Sequence, residues 1–250
     1  MRRWPVQGIR AALMLGVFAL ALDAHAGALV VQTIGEAYDQ DTDRLLYREV
    51  HCVSADTRVR EVAYRNPQAQ LIAFKALDYQ AGPWTPSFVQ RNVHSNSVLA
   101  VQLAEGKILL TRTEGDSEPE VATLQPGGEY PVVVDAGFDA FVTDNWDSLV
   151  AGKVGRFQFP VAARETLVEL SIERARCSYE TETDQCFRLE LDNWLLRMVA
   201  EHIELGYDAS TQRLARFRGV SNIGDGSGAG MAVDIQYRYH DLAALQCERS

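Results

Sequence analysis

The chain has 250 residues, 34 acidic against 24 lysine and arginine, and a formal net charge of −10. At 47% hydrophobic residues it holds enough apolar material for one sizeable core. That acidity excludes a long basic patch for a nucleic-acid backbone, and equally an electrostatic hold on an anionic membrane surface.

In chain order the first feature is a basic opening, Arg2, Arg3 and Arg10, then an uncharged apolar run from Ala11 to Leu22, then Ala24-His25-Ala26. That order is the pattern of a cleaved secretory signal, and the run is too short for a permanent membrane anchor. Residues 1–26 are therefore expected to be removed, leaving 27–250 as a single exported domain with no membrane span. Taking Arg2, Arg3, Arg10 and Asp23 from 24 basic and 34 acidic residues leaves 21 and 33, a net charge of −12. Arg2-Arg3 is a poor twin-arginine signal, because Trp4 and Pro5 occupy the hydrophobic positions expected after the pair. Lysine occurs only at Lys75, Lys107 and Lys153, the other basic residues being arginine. That usage fits a GC-rich bacterial genome and makes the periplasm the expected destination, with release outside the cell as the alternative.

Most of the mature chain alternates at period two, the mark of half-buried antiparallel strands. Strands are expected over 28–37, 44–53, 57–64, 70–77, 87–93, 97–103, 107–113 and 119–124. Their connections carry turn residues such as Asn66-Pro67, Gly82-Pro83 and Glu105-Gly106. The period then turns helical over 136–151 and Gly152 stops it. Strands resume over 154–160, 166–176 and 186–191. A short helix over 193–200 precedes strands over 202–207, 212–220 and 231–240. The expected fold is mainly β, a curved antiparallel sheet or open barrel with one main amphipathic helix packed on or across it. Two β halves flanking that helix is the alternative. Tyr38-Asp39-x-x-Thr42-x-Arg44-Leu45 recurs as Tyr207-Asp208-x-x-Thr211-x-Arg213-Leu214. Both stretches join two strands, so shared turn chemistry is the expected cause.

Cys52, Cys177, Cys186 and Cys247 all survive in the mature chain, and an even count in an exported protein predicts two disulfides. Val168, Leu170 and Ile172 share one face of their strand, which places Cys177 on the other by parity. Phe187, Leu189 and Leu191 place Cys186 on the same polar side. Cys177–Cys186 is therefore the expected pair, and Cys52–Cys247 follows by elimination. Four zinc ligands would need a Cys-x-x-Cys pair that is absent.

The helix is the segment richest in chemistry. Phe138, Phe141, Val142, Trp146, Leu149 and Val150 fill one half of its circumference, and Asp139 intrudes on that half. Asp135 lies one turn earlier on nearly the same line. Two partly desolvated carboxylates at that spacing suit acid–base chemistry or a hard metal ion. The competing expectation is structural: Asp135 caps the helix, the dipole favours Asp139, and an arginine from a strand satisfies it.

Asp135-Ala136-Gly137-Phe138-Asp139-x-Phe141-Val142, continuing to Trp146-Asp147-x-Leu149-x-x-Gly152, resembles a group of exported bacterial proteins with no assigned activity. Gly35-Glu36-Ala37-Tyr38 and Gly219-Val220-Ser221-Asn222-Ile223 fit the same group. The resemblance implies a family of exported proteins and supplies no functional residue.

Other patterns weaken on inspection. Asp39, Asp41 and Asp43 open like a calcium loop, but Arg44 stands where glycine belongs and Val50 where glutamate belongs. Asn222 to Gly230 is glycine-rich, yet a strand follows where a phosphate cradle needs a helix; a hairpin loop, or a lid over a ligand, is expected. His51, His94, His202 and His240 stand singly, so no zinc site or triad assembles from spacing. Trp84, Trp146, Asn222 and Asp225 are the candidate ligand contacts. No metal or other cofactor and no nucleic-acid partner is expected. The expected function is non-enzymatic: binding an apolar small molecule in the concave side of the sheet, or another envelope protein along its edge. The alternative is a hydrolase using Asp135 and Asp139.

Overall fold

Inward apolar and outward polar side chains alternate through fourteen strands in the computed structural model, which describes residues 29–192, 202–224, 230–240 and 247. Before the helices come β1 (Val30–Asp39), β2 (Leu45–Val53), β3 (Val59–Arg65), β4 (Leu71–Asp78), β5 (Ser87–Asn92), β6 (Ser97–Ala104), β7 (Lys107–Glu114) and β8 (Glu120–Leu124). Helices α1 (Gly137–Asp144) and α2 (Trp146–Val150) follow. The second half holds β9 (Gly155–Val161), β10 (Thr166–Ala175), β11 (Asp184–Leu191), β12 (Ile203–Asp208), β13 (Arg213–Gly224) and β14 (Gly230–Tyr239). Every expected strand is present to within a few residues. The signal at 1–26, the short helix expected over 193–200 and Asp225 lie outside the described residues.

All neighbouring strands are antiparallel, in the order β8-β7-β6-β5-β4-β3-β2-β1-β14-β13-β12-β11-β10-β9. The twist of so many strands curls the sheet into a nearly closed barrel. Strand pairing does not complete the closure. Val132 makes a single parallel bridge to Gln158 on β9, with Val133 N donating to Gln158 O at 2.9 Å and Gln158 N to Pro131 O at 2.8 Å. Elsewhere along the seam, Arg112 donates to the carbonyl of Ala162 at 2.6 Å.

Two apolar clusters fill the concave side. One joins Tyr47, Val62, Leu77, Ile108 and Leu110 of the β1–β8 half to Ile223, Val233 and Ile235 of β13 and β14. The other joins Phe141, Val142 and Leu149 of the helices to Phe157, Ile172, Phe187, Leu205 and Tyr207. The helical segment thus packs inside the curve of the second half. It is not continuous over 136–151: Asn145 leaves helical geometry at φ −106° and ψ 13°. Its side-chain amide donates to Phe141 O at 2.8 Å. An Asn side chain competing for backbone acceptors explains the break.

The repeated Tyr-Asp turns share one construction. Asp39 Oδ1 accepts from the amides of Asp41 and Thr42 and from the Thr42 hydroxyl. Asp208 Oδ1 accepts from the amides of Ser210 and Thr211 and from both hydroxyls, which holds its pKa down at about 2. Cys177 bonds to Cys186 and Cys52 to Cys247, the chemistry of an oxidising compartment. Among the described residues no helix is long and apolar enough to cross a membrane.

Candidate functional site

Strand parity puts charged side chains inside the barrel as well as apolar ones. Tyr47, Glu49 and His51 share the inward face of β2, and Lys75 stands between Ala73 and Leu77 on β4. Burying a charge is costly unless it is paired, and the pairs are present. Lys75 Nζ lies 2.8 and 3.0 Å from the two carboxylate oxygens of Asp135. Glu49 accepts from the Tyr237 hydroxyl at 3.2 Å and lies 2.8 Å from His51 Nε2. Asn222 Nδ2 reaches Asp135 at 3.4 Å, which joins two of the sequence-derived candidates.

Asp135 does not cap α1. The N-cap is Ala136, without a side-chain cap bond, and Asp135 adopts φ 46° with its carboxylate held by Lys75. Asp139 projects inward, as its place on the apolar half requires. Its Oδ1 is buried with no hydrogen-bond partner, and the same holds for Arg60 Nε and the Tyr207 hydroxyl. Burial pushes the Asp139 carboxyl above its ordinary pKa, against the opposing pull of Arg60, Tyr207 and His51. Burial and the Asp139 charge together hold the Tyr207 hydroxyl protonated. Asp135 and Asp139 are thus in different states, one ion-paired and one inclined to keep its proton. Among the described residues no group of three or more His, Cys, Asp or Glu is placed to hold a metal ion.

The two tryptophans serve the packing of the helices. Trp84 donates from Nε1 to Asp144 at 2.7 Å and sets its ring against Phe141 at 5.1 Å. Trp146 meets Phe187 at 5.5 Å and Tyr207 at 5.9 Å.

A groove of about 530 Å³ lies on the outer face, over β1, β14 and β13. Register builds its floor: Gly206, Arg216, Gln236, Glu36 and Arg48 stand side by side across five strands. A parallel row alternates in charge, Glu173, Arg188, Glu204, Arg218 and Asp234. One wall is the segment between β10 and β11, pinned by Cys177–Cys186. Ser178 donates to Glu204, and Tyr179 donates to Asp184 at 2.8 Å while Arg216 lies 4.1 Å over its ring. This segment also buries Cys186 to 1% exposure, although its face is polar by sequence.

Sequence reasoning missed Lys75, Glu49, His51 and Arg60 as lumen residues. Their signal was present: each stands at the inward parity of its strand, with at least one apolar or aromatic residue two positions away, such as Ala73 and Leu77 about Lys75, Tyr47 before Glu49, Val53 after His51 and Val62 after Arg60. The groove had no such signal, because it depends on which strands become neighbours.

At the seam, β8 pairs with β7 alone among the described strands. Among the described residues its outer edge makes no backbone hydrogen bond, and Val121 is 66% exposed.

No protein-family model matches the chain, and no curated protein matches it. Its fold has a known counterpart. The chain is similar to a crystal structure described as a β-barrel-like protein of the domain of unknown function DUF1849 from Brucella abortus, with a TM-score of 0.51. The match covers 86% of this chain and 99% of that one at 10% identity, so the likeness is one of fold. It agrees with the resemblance to bacterial proteins lacking an assigned activity, and it carries no motif or residue role across.

Proposed function

We propose that this is an exported, non-enzymatic binding protein that recruits another envelope protein along the open edge of β8. The observation that carries the reading is that edge: five residues, Glu120–Leu124, with β7 on one side and no backbone partner among the described residues on the other. A partner strand added there gains main-chain hydrogen bonds without rearranging the barrel. The concave side, where an apolar ligand would sit, already holds two packed clusters and the helices. That favours a protein partner over an apolar ligand.

The test is in-cell photo-crosslinking from a benzophenone side chain at Thr123, with Val220 on β13 as control. A discrete adduct at Thr123, lost when Val121→Lys places a charge on the edge, is the expected result. No adduct, or the same pattern from Val220, sinks the reading. The hydrolase reading retains one supporting observation, the raised pKa of Asp139. Against it stands Asp135, whose charge is already taken by Lys75.

A further inference from the structure

We infer that the outer groove binds a neutral saccharide. The inference uses a different surface from the β8 edge and stands or falls apart from it. The groove's volume, about 530 Å³, falls in the range of small-ligand sites, roughly 300–1,000 Å³. Its chemistry narrows the class. Glu36 accepts from Arg48 at 3.0 Å and from the Tyr38 hydroxyl at 3.1 Å, and Arg238 pairs with it as well. Arg216 makes two hydrogen bonds to Asp234, at 2.7 and 2.5 Å. Both guanidiniums of the lining, Arg216 and Arg238, are therefore matched and held in place, and the wall adds the carboxylates Glu180 and Asp184, so the groove offers no unpaired cation to attract an anion. What remains is a dense set of fixed donors and acceptors, with the exposed Gln236 amide at the centre and the hydroxyls of Tyr38 and Tyr179 beside it. A polyhydroxylated ring presents both donors and acceptors at close spacing and pairs with such a set without bringing charge. Preorganised side chains also spare the ligand the cost of ordering them.

A peptide fits less well. The strands beneath, β1, β14 and β13, are each paired on both sides, so no backbone edge is open for strand addition. Ala215 is the sole aliphatic side chain in the lining, so the groove lacks apolar pockets for anchor residues.

Saturation-transfer NMR with maltotriose, cellotriose, chitotriose and an uncharged tripeptide tests the inference on the mature protein. Gln236→Ala removes the central amide at an exposed position; Gln102→Ala, on the outer face of β6, is the control. At least one trisaccharide is expected to give a transfer signal and to lose about tenfold in affinity, some 1.4 kcal/mol, in Gln236→Ala but not in Gln102→Ala. No saccharide signal at millimolar concentration overturns the inference. So does a signal indifferent to Gln236→Ala, or a tripeptide that binds the groove in place of the sugars. Because neither variant touches β8, crosslinking from Thr123 stays unchanged whichever result is obtained.

Discussion

Asp139 lies in the first turn of α1, where the helix dipole favours a negative charge, yet its Oδ1 is buried with no hydrogen-bond partner. Burial outweighs the dipole, and the carboxyl's pKa is raised. The sign for stability follows. Between the ordinary carboxyl range and the raised value, the folded protein binds more protons than the unfolded chain, so stability falls as pH rises through that interval. Asp139→Asn keeps the shape and removes the titration. The variant is expected to fold, to be more stable than the parent at neutral pH, and to lose this component of the pH dependence. Urea unfolding across pH 4 to 8 measures it; a variant less stable than the parent at neutral pH would show that the ionised carboxylate is needed by Arg60 or His51. The same variant bears on the hydrolase reading, because a folded protein without its cellular phenotype would assign Asp139 a chemical role.

At the scale of elements, the segment between β10 and β11 depends on a close approach. Gly206 faces the Tyr179 hydroxyl so closely that a Cβ there would collide with it. Gly206→Ala is expected to push the segment off β12 and to cost about 1–3 kcal/mol. Chemical denaturation reads the cost, and loss of tyrosine protection from iodination at Tyr179 reads the displacement. An unchanged Tyr179 would mean that the wall is held by Cys177–Cys186 alone. This segment also shows how far strand parity reaches. Alternation in Val168, Leu170, Ile172 and in Phe187, Leu189, Leu191 places Cys177 and Cys186 on one face, and the bond forms there. Parity could not show that this polar face is covered, because the cover is the segment between β10 and β11 docked on Glu204 of β12 and Arg216 of β13, contacts that no local pattern encodes. The helix shows the converse. Its apolar half was legible residue by residue, down to the intrusion of Asp139. The break at Asn145 was not, since it turns on one side-chain amide choosing a backbone acceptor.

The whole molecule is a meander folded back on its own beginning. β1 sits mid-sheet between β2 and β14, so the first and last strands are neighbours and their ends need fastening. Cys52–Cys247 does that across 195 residues, whereas Cys177–Cys186 closes only 9. If each bridge acts mainly by restricting the unfolded chain, the longer loop contributes more: about 5 kcal/mol against about 2.5 kcal/mol on the chain-entropy scale. Beside the bridge, Cys247 N donates to Leu29 O at 3.2 Å. Replacing Cys52 and Cys247 together by alanine should therefore lower the urea midpoint about twice as far as replacing Cys177 and Cys186, with unfolding still cooperative. The opposite order would mean that the short bridge acts through the folded state, by holding Tyr179 and Ser178 against Arg216 and Glu204, and that β1–β14 pairing alone suffices to join the ends of the chain.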